Sequence, residues 1–243
     1  RDSLDARERG SLLHWILEKV YSLAPNSDQV KALAEDSLES ICAEALKRHG
    51  KLPKPFAESE KIRLIKLIRG WLAIEADRDT FDVIETEHRH TVNLGDWQLQ
   101  LRIDRLDKVG NDLVVIDYKS GNTSTAAALS KPMTAPQLPL YSLIRDDITG
   151  VYYAQLKHDD QKIIGVGDKN PQLGATKHRQ MKTTEPDSRW AAQRMEWRSE
   201  LMNLAAQIGA GDARVDPKPN ACRYCHLKSL CRVDEKRQMA AAL

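Results

Sequence analysis

The sequence predicts an α/β fold, with a central mixed β-sheet flanked by helices. Three observations predict it. Apolar residues recur at helical spacing through about the first 80 residues. The period then drops to two over residues 97–103, Trp-Gln-Leu-Gln-Leu-Arg-Ile, which is the mark of a half-buried strand. After that, helix-like and strand-like stretches alternate.

Each element follows from local chemistry. Residues 9–23 place Leu12, Leu13, Ile16, Val20 and Leu23 close to a 3.6 period. Pro25-Asn26-Ser27-Asp28 stops that helix and caps the next. Residues 30–49 form a second amphipathic stretch, closed by Gly50, and Lys51-Leu52-Pro53-Lys54-Pro55 reads as a stiff linker. A third helix is expected over 59–77 through Ile62, Ile65, Leu67, Ile68 and Leu72. Leu113-Val114-Val115-Ile116 is a continuous apolar run, as in a well-buried strand. Residues 137–145 read as a helix, 151–157 as a strand, 165–185 as a long polar loop and 186–210 as a long helix. Asp216-Pro217-Lys218-Pro219-Asn220 is a rigid lead-in to a cysteine cluster, and no internal repeat is present.

Composition excludes several classes. At 243 residues the chain can bury a sizeable core without disulfides. A hydrophobic fraction of 41% with 30% charged residues excludes wholesale disorder and collagen-like sequence. No apolar run approaches the roughly 18 residues of a membrane span, and no signal segment opens the chain. The first residue is Arg1, so an excised fragment is expected. A net charge of +2 predicts no global attraction to nucleic acid and leaves a local basic patch open. Four cysteines do not make a secreted disulfide scaffold, and a reducing compartment, the cytoplasm, is expected.

The most informative stretch is an acidic hairpin. Asp117 and Lys119 stand two apart on one strand, so they share a face about 6.5–7 Å apart. A two-residue loop at Gly110-Asn111 pairs Val109 with Asp112. Counting back puts Asp104 opposite Asp117, with Cβ atoms about 4.5–5.5 Å apart. Opposed like charges destabilise a sheet, and a divalent cation between them reverses that sign. Read alone, the two carboxylates are equally solvated residues of an open face.

Two helices carry polar residues at four-residue spacing. Gly10, His14 and Glu18 lie on one helix face. By itself that is a partly buried histidine satisfied by Glu18, with Gly10 marking a close approach. Gln137 and Tyr141 share a face of a later helix, where packing alone would also explain them. Cys222-x2-Cys225-x5-Cys231 is a spacing at which thiolates converge on zinc or an iron–sulfur cluster. Three ligands are one short. Cys42 reads as a small core residue within a helix.

Together these segments resemble the PD-(D/E)XK nuclease superfamily, in particular its RecB/AddB-type nuclease domain. Gly10-x3-His14 is similar to that family's first helix motif. Ile103-Asp104-Arg105-Leu106-Asp107 is similar to its first acidic motif, and Val115-Ile116-Asp117-Tyr118-Lys119-Ser120-Gly121 to its Asp-x-Lys core. Gln137-x3-Tyr141 is similar to the Gln-x3-Tyr motif, and the cysteine triplet resembles the iron–sulfur staple of AddB-type members.

The resemblance implies a restriction-endonuclease-like core in a single domain over 1–243. Its parts would be a helical region over 1–80, the catalytic sheet and Gln-x3-Tyr helix over 81–170, and a C-terminal helix with the staple over 184–243. It implies Mg²⁺- or Mn²⁺-dependent hydrolysis of DNA, as an exonuclease, within a helicase–nuclease of double-strand-break repair. His14, Asp104, Asp117 and the Tyr118 carbonyl would hold the metal, and Lys119 would orient the attacking water. Glu87 would orient the site, though a surface charge explains it equally well. Gln137 and Tyr141 would position the strand or its supporting residues. Cys222, Cys225 and Cys231 would hold a [4Fe-4S] cluster whose first cysteine lies before the histidine helix, so a fourth ligand is expected upstream of Arg1.

The chain departs from the family at Arg102, where a small residue is usual. In the hairpin register Arg102 opposes Lys119 and sets two cations side by side. No nucleotide-binding Gly-x4-Gly-Lys-Ser/Thr loop is present, so any motor lies in another region of the parent or in a partner helicase–nuclease subunit. DNA would follow a local basic surface, either Lys61, Lys66 and Arg69 or Lys177, Arg179 and Lys182. Two other classes compete. One is a catalytically inactive DNA-binding or scaffolding domain that keeps the fold, and the other is a zinc-binding interaction module with an incidental acidic hairpin. No membrane association is expected.

Overall fold

The computed structural model describes residues 4–50, 52–168, 189–212, 214–215, 217, 221–223, 225–233 and 235. The chain packs as two compact units, Arg1–Met202 and Asn203–Leu243.

The first unit opens with four helices: α1 (Ala6–Leu23), α2 (Ser27–Lys31), α3 (Glu35–His49) and α4 (Lys54–Ala76). A capping box starts α1: the Glu8 N–H donates to Asp5 Oδ1 and the Asp5 N–H to Glu8 Oε2. Asn26 caps α2 by accepting the Gln29 N–H. The single amphipathic stretch expected over 30–49 is broken at residues 32–34, between α2 and α3. The expected stiff linker is instead the start of α4. Pro53 is its N-cap and Pro55 lies in its first turn, where a missing N–H costs nothing.

Five strands follow as one sheet in the order β1-β2-β3-β4-β5: β1 (Asp82–Leu94), β2 (Trp97–Val109), β3 (Asp112–Lys119), β4 (Ile148–Lys157) and β5 (Asp160–Gly167). All neighbours are antiparallel except β3 and β4. That parallel pair requires a crossover, which carries the short helix α5 (Gln137–Tyr141). A mixed sheet flanked by helices is the restriction-endonuclease-like α/β arrangement the sequence predicts. β5 takes residues 165–167 from the expected loop, and Lys177, Arg179 and Lys182 lie outside the described residues.

The sheet is buried on both faces around β3. Val114, Ile116 and Tyr118 face a core built with Leu13, Ile16, Leu17 and Val20 of α1 and with Leu64, Ile68 and Trp71 of α4. Val115 and Asp117, on the other side of the strand, are also buried. There α6 (Arg189–Gly209) docks through two tryptophans. Trp190 Nε1 donates to the Ile148 carbonyl at 2.7 Å and Trp197 Nε1 to the Ala128 carbonyl at 3.0 Å. The Val83 N–H donates to the Pro25 carbonyl, which ties the end of α1 to the start of β1.

In the second unit Cys222 and Cys225 lie in a turn closed by the Cys225 N–H to the Cys222 carbonyl. Cys231 ends the four-residue helix α7 (Lys228–Cys231). Among the described residues no helix is long and apolar enough to cross a membrane.

Candidate active site

The β2–β3 hairpin has the predicted register. Val109 pairs with Asp112, and the ladder runs back to Arg105 opposite Ile116. Gly110 takes the left-handed conformation the tight loop requires, at φ 61°. The ladder stops one rung short of Asp104, whose Oδ2 accepts the Tyr118 N–H at 2.7 Å. The strands part there, and the gap is lined by carboxylates.

Three side chains converge on the gap. His14, from α1, sets Nδ1 3.3 Å from Asp104 Oδ1 and 3.5 Å from Glu87 Oε1. Its Nε2 lies 3.2 Å from the Tyr118 carbonyl oxygen. One ligand atom from each of His14, Glu87 and Asp104 lies within 4.8 Å of the other two. Glu87 reaches the group because its backbone is turned to φ 49°, a conformation uncommon for a non-glycine residue. Glu18 is not the partner of His14, and Gly10 marks no close approach, since a Cβ there would meet Ser120 Oγ at 3.9 Å.

Beside this group sits a second set of bonds. Asp117 Oδ2 lies 2.6 Å from Lys119 Nζ. Gln137 bridges the pair: its Nε2 donates to Asp117 Oδ1 at 2.7 Å and its Oε1 accepts from Lys119 Nζ at 2.8 Å. Tyr141 OH donates to the Arg102 carbonyl at 3.0 Å and accepts from Gln137 Nε2 at 3.1 Å. Lys119 Nζ also stands over the Tyr153 ring at 5.3 Å. With Asp104 7% and Asp117 1% exposed, neither is a solvated residue of an open face.

A family model described as the PD-(D/E)XK nuclease superfamily matches residues 1–232. The chain belongs to the PD-(D/E)XK nuclease superfamily. No curated protein matches it. The crystal structure of SSO0001 is similar over 92% of this chain and 95% of that one, at 15% identity and a TM-score of 0.35.

In this PD-(D/E)XK chain the electrostatics favour a cation at the gap. Burial works against a charged His14 imidazole, but hydrogen bonds and charge from Asp104 and Glu87 outweigh it and lift its pKa to about 10. The imidazolium thus occupies a place built for positive charge. Burial, then the charge of Asp104, lifts Asp117 to about 6, against the pull of Lys119. The buried oxygens Glu87 Oε1 and Asp117 Oδ2 each face a cationic side chain, His14 Nδ1 at 3.5 Å and Lys119 Nζ at 2.6 Å. Carboxylates from Glu87 and Asp104 converging with an imidazole, and a third carboxylate beside them, suit a divalent metal ion.

Several expectations change at this PD-(D/E)XK site. Arg102 does not crowd Lys119. It pairs with Arg89 along the ladder, and its side chain reaches Glu87, with Nε 3.0 Å from Oε2. The α4 cations are partly neutralised, as Lys61 pairs with Glu39 and Arg69 with Glu35. The cleft beside the site, about 390 Å³, is instead rimmed by Arg7, Trp15 and Arg102. Asp107 belongs to the acidic motif by sequence but points to the opposite side of the sheet. There Arg105 grips it through two bonds of 2.5 and 2.6 Å and reaches Glu75 at 2.7 Å. Arg78 closes this buried network onto Glu75 and Asp107. Strand alternation separates Asp104 from Asp107, but the Glu75 and Arg78 partners carry no local signal.

Proposed function

We propose that the chain is a divalent-metal-dependent deoxyribonuclease domain, acting as an exonuclease within a helicase–nuclease of double-strand-break repair. The observation that carries the nuclease reading is the convergence of His14, Glu87 and Asp104 next to an Asp117–Lys119 pair held by Gln137. The exonuclease and helicase context rests on the resemblance of the five sequence motifs, in their order, to the RecB/AddB-type nuclease domain.

His14, Glu87, Asp104, Asp117 and the Tyr118 carbonyl would hold Mg²⁺ or Mn²⁺, which when bound polarises a phosphoryl oxygen and makes water more acidic. Lys119 has three N–H donors, two of which face Asp117 and Gln137. The third is left to orient the attacking water and to stabilise charge on the phosphate. Gln137 fixes the Lys119 ammonium, and Tyr141 fixes Gln137. Arg7 and Arg102 take phosphates of the DNA strand entering the cleft. In the second unit Cys222, Cys225 and Cys231 would hold a [4Fe-4S] cluster. The Leu227 N–H donates to Cys225 Sγ at 3.4 Å.

The Arg102–Glu87 ion pair favours one second reading, an inactive DNA-binding domain, because it engages a carboxylate the metal needs. A cleavage assay separates the two. Linear and circular DNA would be incubated with the chain and Mg²⁺, Mn²⁺ or EDTA, beside Asp117→Asn. Metal-dependent cutting of linear DNA alone, abolished by Asp117→Asn, is the expected result. DNA binding without cutting in either metal would establish the inactive reading.

A further inference from the structure

Glu87 stands between two clusters on β1. On an unbroken strand Glu85 faces away from His88 and His90, because side chains alternate. The backbone at Glu87, which lies between Glu85 and the two histidines, is turned to φ 49°. Alternation is lost, and Glu85 comes to the side of the two histidines. His90 Nε2 lies 2.6 Å from Glu85 Oε2, and the His88 and His90 rings stand 5.1 Å apart. One ligand atom from each of the three lies within 4.8 Å of the other two. A simple ion pair accounts for Glu85 and His90 but gives no role to the exposed His88.

We propose that Glu85, His88 and His90 form a second metal site, for a divalent ion of zinc's class. Two imidazole nitrogens and one carboxylate are zinc donors, whereas Mg²⁺ prefers an all-oxygen shell. At bond lengths of about 2.0–2.2 Å, tetrahedral ligand atoms stand roughly 3.3–3.5 Å apart. Rotation of these exposed or half-buried side chains brings His88 in and opens the 2.6 Å Glu85–His90 contact to that spacing. Three protein ligands leave a fourth position for water. The ligands bracket Glu87 in sequence, so an ion bound there pins the turned backbone that aims Glu87 at His14 and Asp104.

Zinc counting tests this without reading nuclease activity. The full chain, His88→Ala, Glu85→Gln and His14→Ala would be dialysed against buffered Zn²⁺ at neutral pH, and retained zinc measured per folded chain. His88→Ala and Glu85→Gln are each expected to lose one equivalent held by the wild type, or to bind it at least about tenfold more weakly. His14→Ala removes a ligand of the active site, so the same difference is read again between His14→Ala and His14→Ala/His88→Ala, where the one equivalent should still be lost. Zinc on the cysteines is common to every protein compared and cancels in the difference. Because His88 is exposed, its replacement leaves the fold intact, which circular dichroism checks. Equal zinc content and affinity in wild type and His88→Ala would overturn the proposal, and so would equal content in His14→Ala and His14→Ala/His88→Ala.

Discussion

The carboxylate of Asp104 accepts the backbone N–H of Tyr118 at 2.7 Å and replaces the next rung of the β2–β3 ladder. One oxygen therefore does structural work while the other faces His14. Asp104→Asn keeps an acceptor for that N–H, so it should unfold within about 0.5–1.5 kcal/mol of wild type while losing Mn²⁺ binding. Asp104→Ala leaves the N–H unsatisfied and should cost about 1–3 kcal/mol. Urea denaturation of both variants, with Mn²⁺ titration, checks the split.

Gln137 touches no reacting atom in the proposed mechanism, yet it holds both Asp117 and Lys119. Gln137→Ala should lower kcat by about 10–100-fold with a smaller change in KM, as for residues that orient a metal ligand. Gln137→Glu keeps the bond to Lys119 but sets a carboxylate against Asp117. It should therefore weaken activity without loosening the lysine. Steady-state cleavage on a defined linear substrate reads both.

Metal binding should depend steeply on pH. Asp117 must be ionised and His14 neutral to hold a cation, and they titrate at about 6 and about 10 without one. Below pH 6 both protons leave on binding, so Mn²⁺ affinity should rise about a hundredfold per pH unit. Between pH 6 and 10 only the His14 proton leaves, and the slope should fall to about tenfold per unit. Calorimetry in two buffers of different ionisation enthalpy counts the released protons directly.

The buried network of Glu75, Arg78, Arg105 and Asp107 should control acid stability. Burial opposes ionisation of Glu75, but Arg105 and Arg78 outweigh it and hold its pKa below the ordinary 4.5. A carboxylate with a lowered folded pKa stabilises the protein above its unfolded pKa and stops doing so as pH falls through the folded one. Stability from Glu75 is therefore present above about pH 4.5 and lost on further acidification. Glu75→Gln leaves two buried guanidinium groups short of charge and should cost about 3–5 kcal/mol at neutral pH. Thermal unfolding from pH 3 to 8 should show the wild-type advantage shrinking at the acid end.

Tight packing between β4 and β5 gives a prediction independent of the site. Tyr152 pairs with Gly165, and a Cβ on Gly165 would come within 2.1 Å of Tyr152 Cδ1 and 2.4 Å of the Val151 carbonyl oxygen. Gly165→Ala should destabilise by about 1–3 kcal/mol through overpacking, which denaturant unfolding reads.

The sequence by itself determined everything carried by short-range periodicity. The two-residue loop at Gly110-Asn111 sets a register that the strands keep to Arg105 and Ile116. Alternation puts Asp117 and Lys119 on one face, and four-residue spacing puts Gln137 beside Tyr141. Tertiary structure decided the rest. The ladder ends where a carboxylate outcompetes a backbone carbonyl, so Arg102 turns to Glu87 and not to Lys119. His14 meets the Tyr118 carbonyl across 104 positions of sequence, and the left-handed turn at Glu87 breaks the alternation a strand would otherwise obey. A local window fixes which face a side chain takes, because the strand period is two and the helix period 3.6. Which distant group meets that face depends on how the helices pack against the sheet, and no local window contains that.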